Sequence, residues 1–396
     1  MVFTMQIKLP FFTLLLLISF ASVNAVLFTP ALPAIAYFFN ISADQAERTI
    51  SWFLVGYALG QLFYGPMSNR LGRKPTLYIG IGLQIISSLL CVFAGFIHVY
   101  PLLVAARLFC ALGSGVGIMM CFTLVNECHE PKIANQKIAY LILAFAITPG
   151  LSVTCGGLLN SYFGWTSCFY AGALYGVILL ILATRLPETL ATKDHEALKI
   201  TRLLTSYSHQ FKNRTLVLGG LLMGLSGCFI YIFAALGPFI AITLYHMSSV
   251  EYGSAYLLPS IGLILGSLVN AKLTLHYPTL TLIRAGISIA ILGVALMFAT
   301  SMLHCSGMLS LFIPVIIIYF GLCFLLTNAS GYAMSEISNK ANGSAIMNFI
   351  NLSTIAISVL LLGLFSITPW LLFKIYSALC LLMVGMLLCM RPIHNE

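Results

Sequence analysis

The sequence predicts an all-α membrane protein with twelve transmembrane helices, arranged as two bundles of six. Three observations lead to this prediction: an apolar composition, a series of long apolar runs, and a one-sided distribution of Lys and Arg. Of the 396 residues, 60% are hydrophobic and 7% are charged, whereas about 25% of residues are charged in a soluble domain. So few charges cannot cover a soluble fold of this size, and lipid must be the main solvent.

Twelve apolar runs are long enough to cross a bilayer. A helix needs about 20 apolar residues to span roughly 30 Å of hydrocarbon. The runs are too long and continuous for the alternating strands of about 10 residues that build an outer-membrane barrel. They lie near residues 11–35, 49–68, 76–97, 101–125, 138–159, 164–184, 215–240, 250–271, 281–302, 308–332, 343–366 and 369–390.

The first run has a second interpretation, as a cleaved signal peptide. Lys8 precedes it, and Val23-Asn24-Ala25 is similar to a cleavage site. However, the apolar character continues past Ala25 to Ala36, which is longer than the apolar core of a usual signal peptide. We therefore expect a retained first helix.

The net charge of +9 is distributed on one side of the predicted membrane. Only Arg48 and Lys374 lie at the other helix ends, and Arg107 lies within a span. By the positive-inside rule, both termini are cytoplasmic, in the cell inner membrane. This placement also argues against nucleic acid as a partner. The remaining cations are Lys8, Arg70, Arg73, Lys74, Lys132, Lys137, Arg185, Lys193, Lys199, Arg202, Lys212, Arg214, Lys272, Arg284, Lys340 and Arg391.

The most polar stretch, 187–213, divides the chain into two parts of six spans each. We expect an N-terminal bundle over 1–186, a cytoplasmic linker over 187–213 and a C-terminal bundle over 214–396. Substrates of two-bundle transporters bind between the halves, near the middle of the membrane. The eleven Cys are scattered without a C-x-x-C pair, so we expect no disulfide, no metal and no cofactor.

The strongest local motif is the run Gly65-Pro-Met-Ser-Asn-Arg-Leu-Gly-Arg-Lys-Pro75, between spans two and three. Gly72 permits a tight turn, and Pro75 suits the first turn of the next helix. A basic turn that only fixes topology would explain the charges of this loop, but not the order of its residues. The conformational-switch residues that we single out are Gly65, Asn69, Arg70, Gly72, Arg73, Lys74 and, at the end of span four, Glu127.

This loop resembles the signature loop of the major facilitator superfamily, and more narrowly that of the bicyclomycin-resistance-like (Bcr/CflA) branch of drug:proton antiporters. The resemblance implies the major facilitator fold and a secondary transporter that works by alternating access. It covers nearly the whole chain. Further matches are Pro30-Ala31-Leu32-Pro33, Ala106-Arg107-Leu108-Phe109, Gly156-Gly157, Phe163-Gly164-Trp165, Gly237-Pro238-Phe239, Gly262, Gly266 and Asn270.

Two positions depart from the family pattern. The family has an Asp in the loop where this chain has Asn69, so Glu127 either holds Arg73 alone or is a solvated acid at a helix end. The family's antiporters carry an Asp in span one where this chain has Val26. All ten acids are expected at helix ends or in loops, and Glu47 is expected at an outer helix end. Coupling through Glu127, through a His or through a charged substrate, and facilitated efflux, all stay open.

Arg107 is the ionisable residue that lies deepest in a predicted span. A cation near the bilayer centre costs about 2.5–3.5 kcal/mol on insertion scales, so we expect Arg107 to face a water-filled cavity. The alternative is an Arg that bonds to backbone carbonyls. Asn24, Gln61, Tyr231, Asn328, Asn348 and Asn351 are further candidates for the substrate cavity, with interhelical hydrogen bonding as the alternative. In span five, Pro149, Gly150, Gly156 and Gly157 are similar to an antiporter motif or serve helix packing.

We expect an exporter of a small organic molecule, either a drug or a metabolite. Arg107 and the missing span-one acid favour an anionic substrate such as a siderophore as the second hypothesis. A membrane-embedded enzyme such as an acyltransferase is a third, but the sequence lacks a paired His and acid constellation for it. The ATP-binding pattern G-x-x-x-x-G-K-[ST] does not occur. The expected partners are the small-molecule substrate, the lipid bilayer and, as one candidate coupling ion, the proton; we expect a monomer.

Overall fold

The computed structural model describes residues 9–129, 131–190, 192–303, 308–337, 340–368 and 370–390. The predicted cytoplasmic positions of Lys8 and Arg391, and most of the predicted turn at 303–307, lie outside the described residues. Within the described residues the chain is helical throughout its spans.

In the described residues up to 190, the first half of the chain forms eight helices that make six spans. Span one is α1 and α2, joined by a 3-10 turn at Thr29–Ala31, and span four is α5 and α6, which meet at Gly115. The helices are α1 (Phe11–Val26), α2 (Leu32–Phe39), α3 (Ala43–Leu71), α4 (Arg73–Phe96), α5 (Tyr100–Ser114), α6 (Val116–Cys128), α7 (Pro131–Phe163) and α8 (Thr166–Ala183).

The second half repeats this layout after the linker, which itself contains the helix α9. Spans seven and ten each include a π-helical segment, Phe239–Leu244 and Met308–Phe312. Span eight is α11 and α12. The helices are α9 (Ile200–Phe211), α10 (Arg214–Pro238), α11 (Ser249–Ala255), α12 (Leu257–Leu273), α13 (Thr279–Met302), α14 (Ile313–Met334), α15 (Lys340–Leu362) and α16 (Leu371–Cys389).

Among the described residues, ten helical segments are long and apolar enough to cross a membrane. Spans two and five, α3 and α7, are the other two of the predicted twelve. They have 29 and 33 residues and are less apolar because polar residues extend them at their ends. A capping box between Ser42 and Gln45 begins α3, and Gly72, with a φ of 114°, ends it. The predicted fold class is confirmed.

The two ends of the molecule differ in how the bundles are joined. We call the end that carries residues 187–213 the linker face and the other end the opposite face. One apolar cluster includes the opposite-face half of the first bundle and most of the second bundle, from Ala21 through Met390. The linker-face half of the first bundle has a separate cluster, from Leu9 to Leu186, whose members all come from that bundle. The bundles therefore share a large core towards the opposite face and only a small apolar cluster towards the linker face.

The surface between the bundles is formed by α3 and α7 on one side and by α10, α11, α12 and α15 on the other. We call this surface the seam. At the opposite face, a Cβ added at Gly363, just after α15, would lie 3.9 Å from the carbonyl oxygen of Asp44 on α3. Towards the linker face, Leu62 of α3 packs on a small cluster that includes Ile346 and Ile350 of α15.

Candidate functional site

Arg107 lies inside the first bundle and is only 1% exposed. Its guanidinium donates hydrogen bonds to the backbone carbonyls of Asn24 (2.8 Å), Ala25 (3.5 Å) and Thr49 (3.3 Å). The rings of Phe28 and Phe53 lie 4.1 and 4.3 Å from it, within the range of a cation–π interaction. The side chain thus bonds to backbone carbonyls and does not face an open cavity in this conformation.

Two of the predicted cavity residues make hydrogen bonds within their own bundles. The amide of Asn24 donates to the carbonyl of Phe20 at 2.8 Å, and its oxygen accepts from Gln84 at 2.6 Å. In the second bundle, Asn328 donates to the side-chain oxygen of Asn270 at 2.8 Å. Both are buried. Interhelical bonding, the alternative that the sequence left open, describes both residues; Gln84, completely buried, was missed because a single Gln in an apolar run carries no signal.

The other predicted residues lie on helices that form the seam. Gln61 of α3 is 9% exposed and its amide nitrogen has no hydrogen-bond partner. Asn351 of α15 has a buried oxygen without a partner, directed towards Gly227 of α10, where an added Cβ would lie 3.5 Å from it. Asn348 and Tyr231 are half-buried on α15 and α10. The Asn351 oxygen thus faces a helix of its own bundle, although α15 itself packs on α3 across the seam. Unsatisfied buried amides are rare in folded proteins, and the oxygen of Gln84 inside the first bundle is a further one among the described residues.

Val26 and Glu47 show where the first bundle lacks a buried acid and where it has one. Val26 is 3% exposed and belongs to the apolar cluster, so span one offers no carboxylate at that position. Glu47, which the sequence analysis placed at an outer helix end, is 2% exposed, and neither carboxylate oxygen has a hydrogen-bond partner. Helix phase is the signal that could have found it. Glu47 stands nine residues before Gly56 in the chain. At roughly 100° per residue, the two residues lie on opposite sides of α3.

The span-five glycines permit two different close contacts of α7. A Cβ added at Gly156 would lie 1.7 Å from the carbonyl oxygen of Leu27, which belongs to span one of the same bundle. An added Cβ at Gly157 would lie 2.4 Å from the carbonyl oxygen of Ser249 in the other bundle. Gly150 meets the second bundle in the same way, at Ser260. The helix α7 continues through Pro149.

Hydrogen bonds also join the two bundles across the seam at the opposite face. The hydroxyl of Thr154 donates to the carbonyl of Gly253 at 2.8 Å, and the amide of Asn160 donates to the hydroxyl of Ser249 at 3.1 Å. Both bonds join α7 to α11. Small residues and polar side chains therefore hold the two bundles together at this end.

At the linker face, Arg73 organises the loop between spans two and three. Its guanidinium donates to both carboxylate oxygens of Glu127, at 2.5 and 3.2 Å, and to Asn69 Oδ1 at 3.0 Å. It also donates to the carbonyl of Ser68 at 2.9 Å. Of the two interpretations of Glu127, the structure shows the one that pairs it with Arg73. A bidentate Arg–carboxylate pair of this kind fixes geometry as well as charge.

Glu188, which belongs to the predicted linker 187–213, is a further member of this network. Its carboxylate accepts from the backbone N–H groups of Arg73 (2.9 Å), Lys74 (3.1 Å) and Leu190 (3.0 Å). Desolvation opposes ionisation, but these hydrogen bonds outweigh it and lower the pKa of Glu188. The carboxylate thus lies at the N-terminus of α4, where a negative charge is favourable. Its carboxylate also lies against Gly72, where a Cβ would not fit.

The remaining residues of the loop are peripheral. Arg70 is exposed at the end of α3. The ammonium of Lys74 donates to the carbonyl of Thr184 at 2.9 Å, after span six. A Cβ added at Gly65 would lie 3.4 Å from Met119 of α6, an ordinary packing distance.

Two six-helix bundles that close over a polar seam define a membrane transporter. Residues 14–359 match the sequence model of the Major Facilitator Superfamily. The chain belongs to that superfamily, whose members are transporters and not enzymes.

Relatives and solved structures agree with this assignment. The chain is 26% identical over 324 residues to multidrug resistance protein D of Escherichia coli, covering 81% of this chain and 79% of that protein. It is 21% identical to a bicyclomycin resistance protein homolog of Haemophilus influenzae, over 70% of this chain and 69% of that one. The resemblance to the bicyclomycin-resistance-like branch is thereby confirmed. The xylose transporter XylE of E. coli, in a partially occluded inward-open conformation, shares the fold with a TM-score of 0.76 at 14% identity, over 98% and 99% of the two chains.

Proposed function

We propose that this transporter exports a small organic molecule, a drug or a metabolite, by alternating access through the seam. The observation that carries the proposal is that Gln61 and Asn351 have buried amide atoms without partners and belong to α3 and α15, the helices that pack on each other across the seam. A ligand that supplies their missing hydrogen bonds would be held between the bundles, where two-bundle transporters place their substrates. The similarity to proteins named multidrug resistance protein D and multidrug transporter MdfA supports export.

The substrate that fits this seam is neutral or weakly polar, with hydrogen-bonding groups. An anionic substrate such as a siderophore was suggested by Arg107, but three backbone carbonyls and two aromatic rings already engage that guanidinium. Arg107 therefore no longer supports an anionic substrate, and the absence of an acid at Val26 is the one observation that still does. Gln61 and Asn351 provide an unpaired donor and an unpaired acceptor, respectively.

The excess of Lys and Arg at the linker face supports a cytoplasmic linker face in a bacterial inner membrane. In this orientation, the conformation described is closed to the outside by the α7–α11 contacts, and the first bundle has its own core on the cytoplasmic side. A substrate would then enter from the cytoplasm. We propose a monomer as the transporting unit, because each chain contains both bundles.

The test replaces each seam amide by Leu and follows export of a neutral aromatic dye from bacteria that lack their major efflux pumps. We expect Gln61→Leu and Asn351→Leu each to lower export about tenfold, the effect of about 1.4 kcal/mol of lost binding. Thermal stability should stay the same or rise, because each change removes an unsatisfied buried polar group. Asn126→Leu is the matched control, since Asn126 is exposed and bonds only to the carbonyl of Phe122 in its own helix.

Full export by both Leu variants would show that the substrate does not pass these amides. If the wild-type protein exports anionic probes but no neutral dye, the proposed substrate class is wrong. Loss of export in Asn126→Leu to the same degree would mean that the assay reports expression and not the seam.

A further inference from the structure

Glu47 is a carboxylic acid in apolar surroundings without a partner. It is 2% exposed, and both of its oxygens are buried without a hydrogen bond. An isolated ionised carboxylate in a medium of low dielectric is so unfavourable that the group takes up a proton instead. In the conformation described, Glu47 is therefore expected to be the neutral acid.

The position of Glu47 on α3 places it at the seam. Gly56 marks the face of α3 that packs on α5, because a Cβ there would lie 2.2 Å from the carbonyl oxygen of Leu108. Glu47 lies half a turn from that face, and Leu54 and Gln61 follow it at seven and fourteen residues, close to whole turns at about 3.6 residues per turn. The unsatisfied amide of Gln61 thus shares the face of α3 on which Glu47 stands.

The charged and titratable groups around Glu47 do not neutralise it. On α3 itself, Asp44 adds repulsion to an ionised Glu47, and Arg48 is exposed. From α5, Arg107 bonds to the carbonyl of Thr49, and Tyr100 bonds to that of Gln45. The ion pairs of the described residues, Arg73 with Glu127 and Lys199 with Glu196, do not involve it.

The helices of the second bundle also bring no cation to this part of the seam. Residues 352–362 of α15, the half near the opposite face, contain no ionisable side chain. On α10, the ionisable side chains in the half near the opposite face are Cys228 and Tyr231, neither of which is a cation. The Tyr57 ring of α3 lies near Tyr231. In the described opposite-face halves of α10 and α15, Glu47 therefore has no cationic side chain opposite it.

From this arrangement we infer that Glu47 is the proton-binding group of this transporter, and that opening of the seam at the opposite face exposes it to be ionised. Closing the seam over Glu47 requires the carboxylate to bind a proton from the opposite face, and gradient-driven export requires that proton to leave towards the linker face when substrate enters there. The ionised form therefore favours the conformation open at the opposite face, and the neutral form favours the conformation described here. A proton whose binding differs between two conformations shifts their populations. The inference rests on the proposed export function for its coupling role, but not for the protonation itself.

The protonation is tested without any substrate, by infrared spectroscopy of the purified protein in lipid. At neutral pH the wild-type protein should show the carbonyl absorption of a protonated carboxylic acid, and Glu47→Gln should lose it. Glu251→Gln is the matched control, because Glu251 is exposed and accepts hydrogen bonds from the Ser248 backbone N–H (2.8 Å) and hydroxyl (2.9 Å). The control should keep the absorption. If Glu47→Gln keeps it as well, the inference is overturned.

Coupling is tested in proteoliposomes with the neutral dye of the export assay. Glu47→Gln mimics the neutral acid in size and should fold. It should lose dye accumulation driven by a proton gradient, while it still exchanges dye across the membrane without a gradient. Gradient-driven accumulation at the wild-type level in Glu47→Gln would overturn the coupling role. If the wild-type protein exchanges no dye at all, the proposed function fails, whereas the infrared result still decides whether Glu47 holds a proton.

Discussion

Buried polar residues of two kinds occur in this molecule, and the difference between them separates architecture from function. Inside the first bundle, Arg107 and Asn24 have hydrogen-bond partners on neighbouring helices, and Gln84 donates to such partners although its own side-chain oxygen has none. At the seam, Gln61 and Asn351 have buried atoms without partners, as does Glu47. Depth in the membrane does not distinguish the two kinds. The presence or absence of partners does distinguish Arg107 and Asn24 from Glu47, Gln61 and Asn351, because an unsatisfied buried group is unfavourable unless a ligand, water or a proton completes it.

The largest expected effect is that of Arg107→Ala on stability. Ala would leave a cavity between Phe28 and Phe53 and remove the donor from three carbonyls, so we expect the variant to lose about 3 kcal/mol or more of folding stability. Thermal unfolding in detergent measures this loss. Arg70→Ala is the control, because Arg70 is exposed at the end of α3.

Unchanged thermal stability of Arg107→Ala, combined with lost export, would contradict the assignment of Arg107 to the architecture of the first bundle. It would place Arg107 with the seam residues, as a group that acts on the substrate. Retained export with lowered stability would assign Arg107 entirely to the architecture of the first bundle.

Two adjacent glycines of α7 allow the comparison to be made within one turn of helix. Gly156→Ala places a Cβ against Leu27 of the same bundle, whereas Gly157→Ala places one against Ser249 across the seam. Overpacking costs about 1–3 kcal/mol. At Gly156 we expect this cost as lowered thermal stability. At Gly157 we expect it as a shift towards the conformation open at the opposite face.

Spin labels at Phe163 and Thr243, in different bundles at the opposite face, would report this shift as a longer distance. The native exposed cysteines are replaced first. Gly82→Ala is the control, since an added Cβ there meets nothing within 4 Å. Equal label distances in Gly157→Ala and Gly82→Ala would show that the α7–α11 contact does not hold the seam closed.

The fold could be predicted from the sequence because the hydropathy that marks a transmembrane span is a property of a whole segment and not of single residues. Runs of about 20 apolar residues define spans whatever their detailed packing. The run 49–68 was shorter than the helix Ala43–Leu71 because hydropathy falls at Asp44, Glu47 and Arg48. Counting those residues as a helix end hid the fact that the helix continues and buries Glu47. The sequence-predicted span and the observed helix therefore differ at the most informative residue.

The site was only partly predictable, because partners come from other helices. Gln61 and Asn351 were among the predicted cavity residues, but nothing in their own spans separates them from Asn24 and Asn328, which are satisfied. Likewise, Asn69 signalled a missing carboxylate in the signature loop. The acid at the N-terminus of α4, Glu188, comes from a position 115 residues away from Arg73 in the chain. Such pairings depend on the tertiary structure, which local patterns do not contain.

Glu188 provides the smallest and most pH-dependent of the expected effects. It lies outside the spans, and hydrogen bonds from the N-terminus of α4 lower its pKa from the ordinary value of 4.5. A lowered pKa in the folded state means that the stabilisation is present above about pH 4.5 and is lost as the pH falls through the folded-state pKa. Because Glu188 is largely exposed, we expect Glu188→Gln to cost less than about 1 kcal/mol at neutral pH. Melting temperatures of the two proteins should differ at neutral pH and converge in acid. A difference that persists below the folded-state pKa would mean that Glu188 stabilises the loop through packing alone, and that its paired carboxylate contributes no charge-dependent stability.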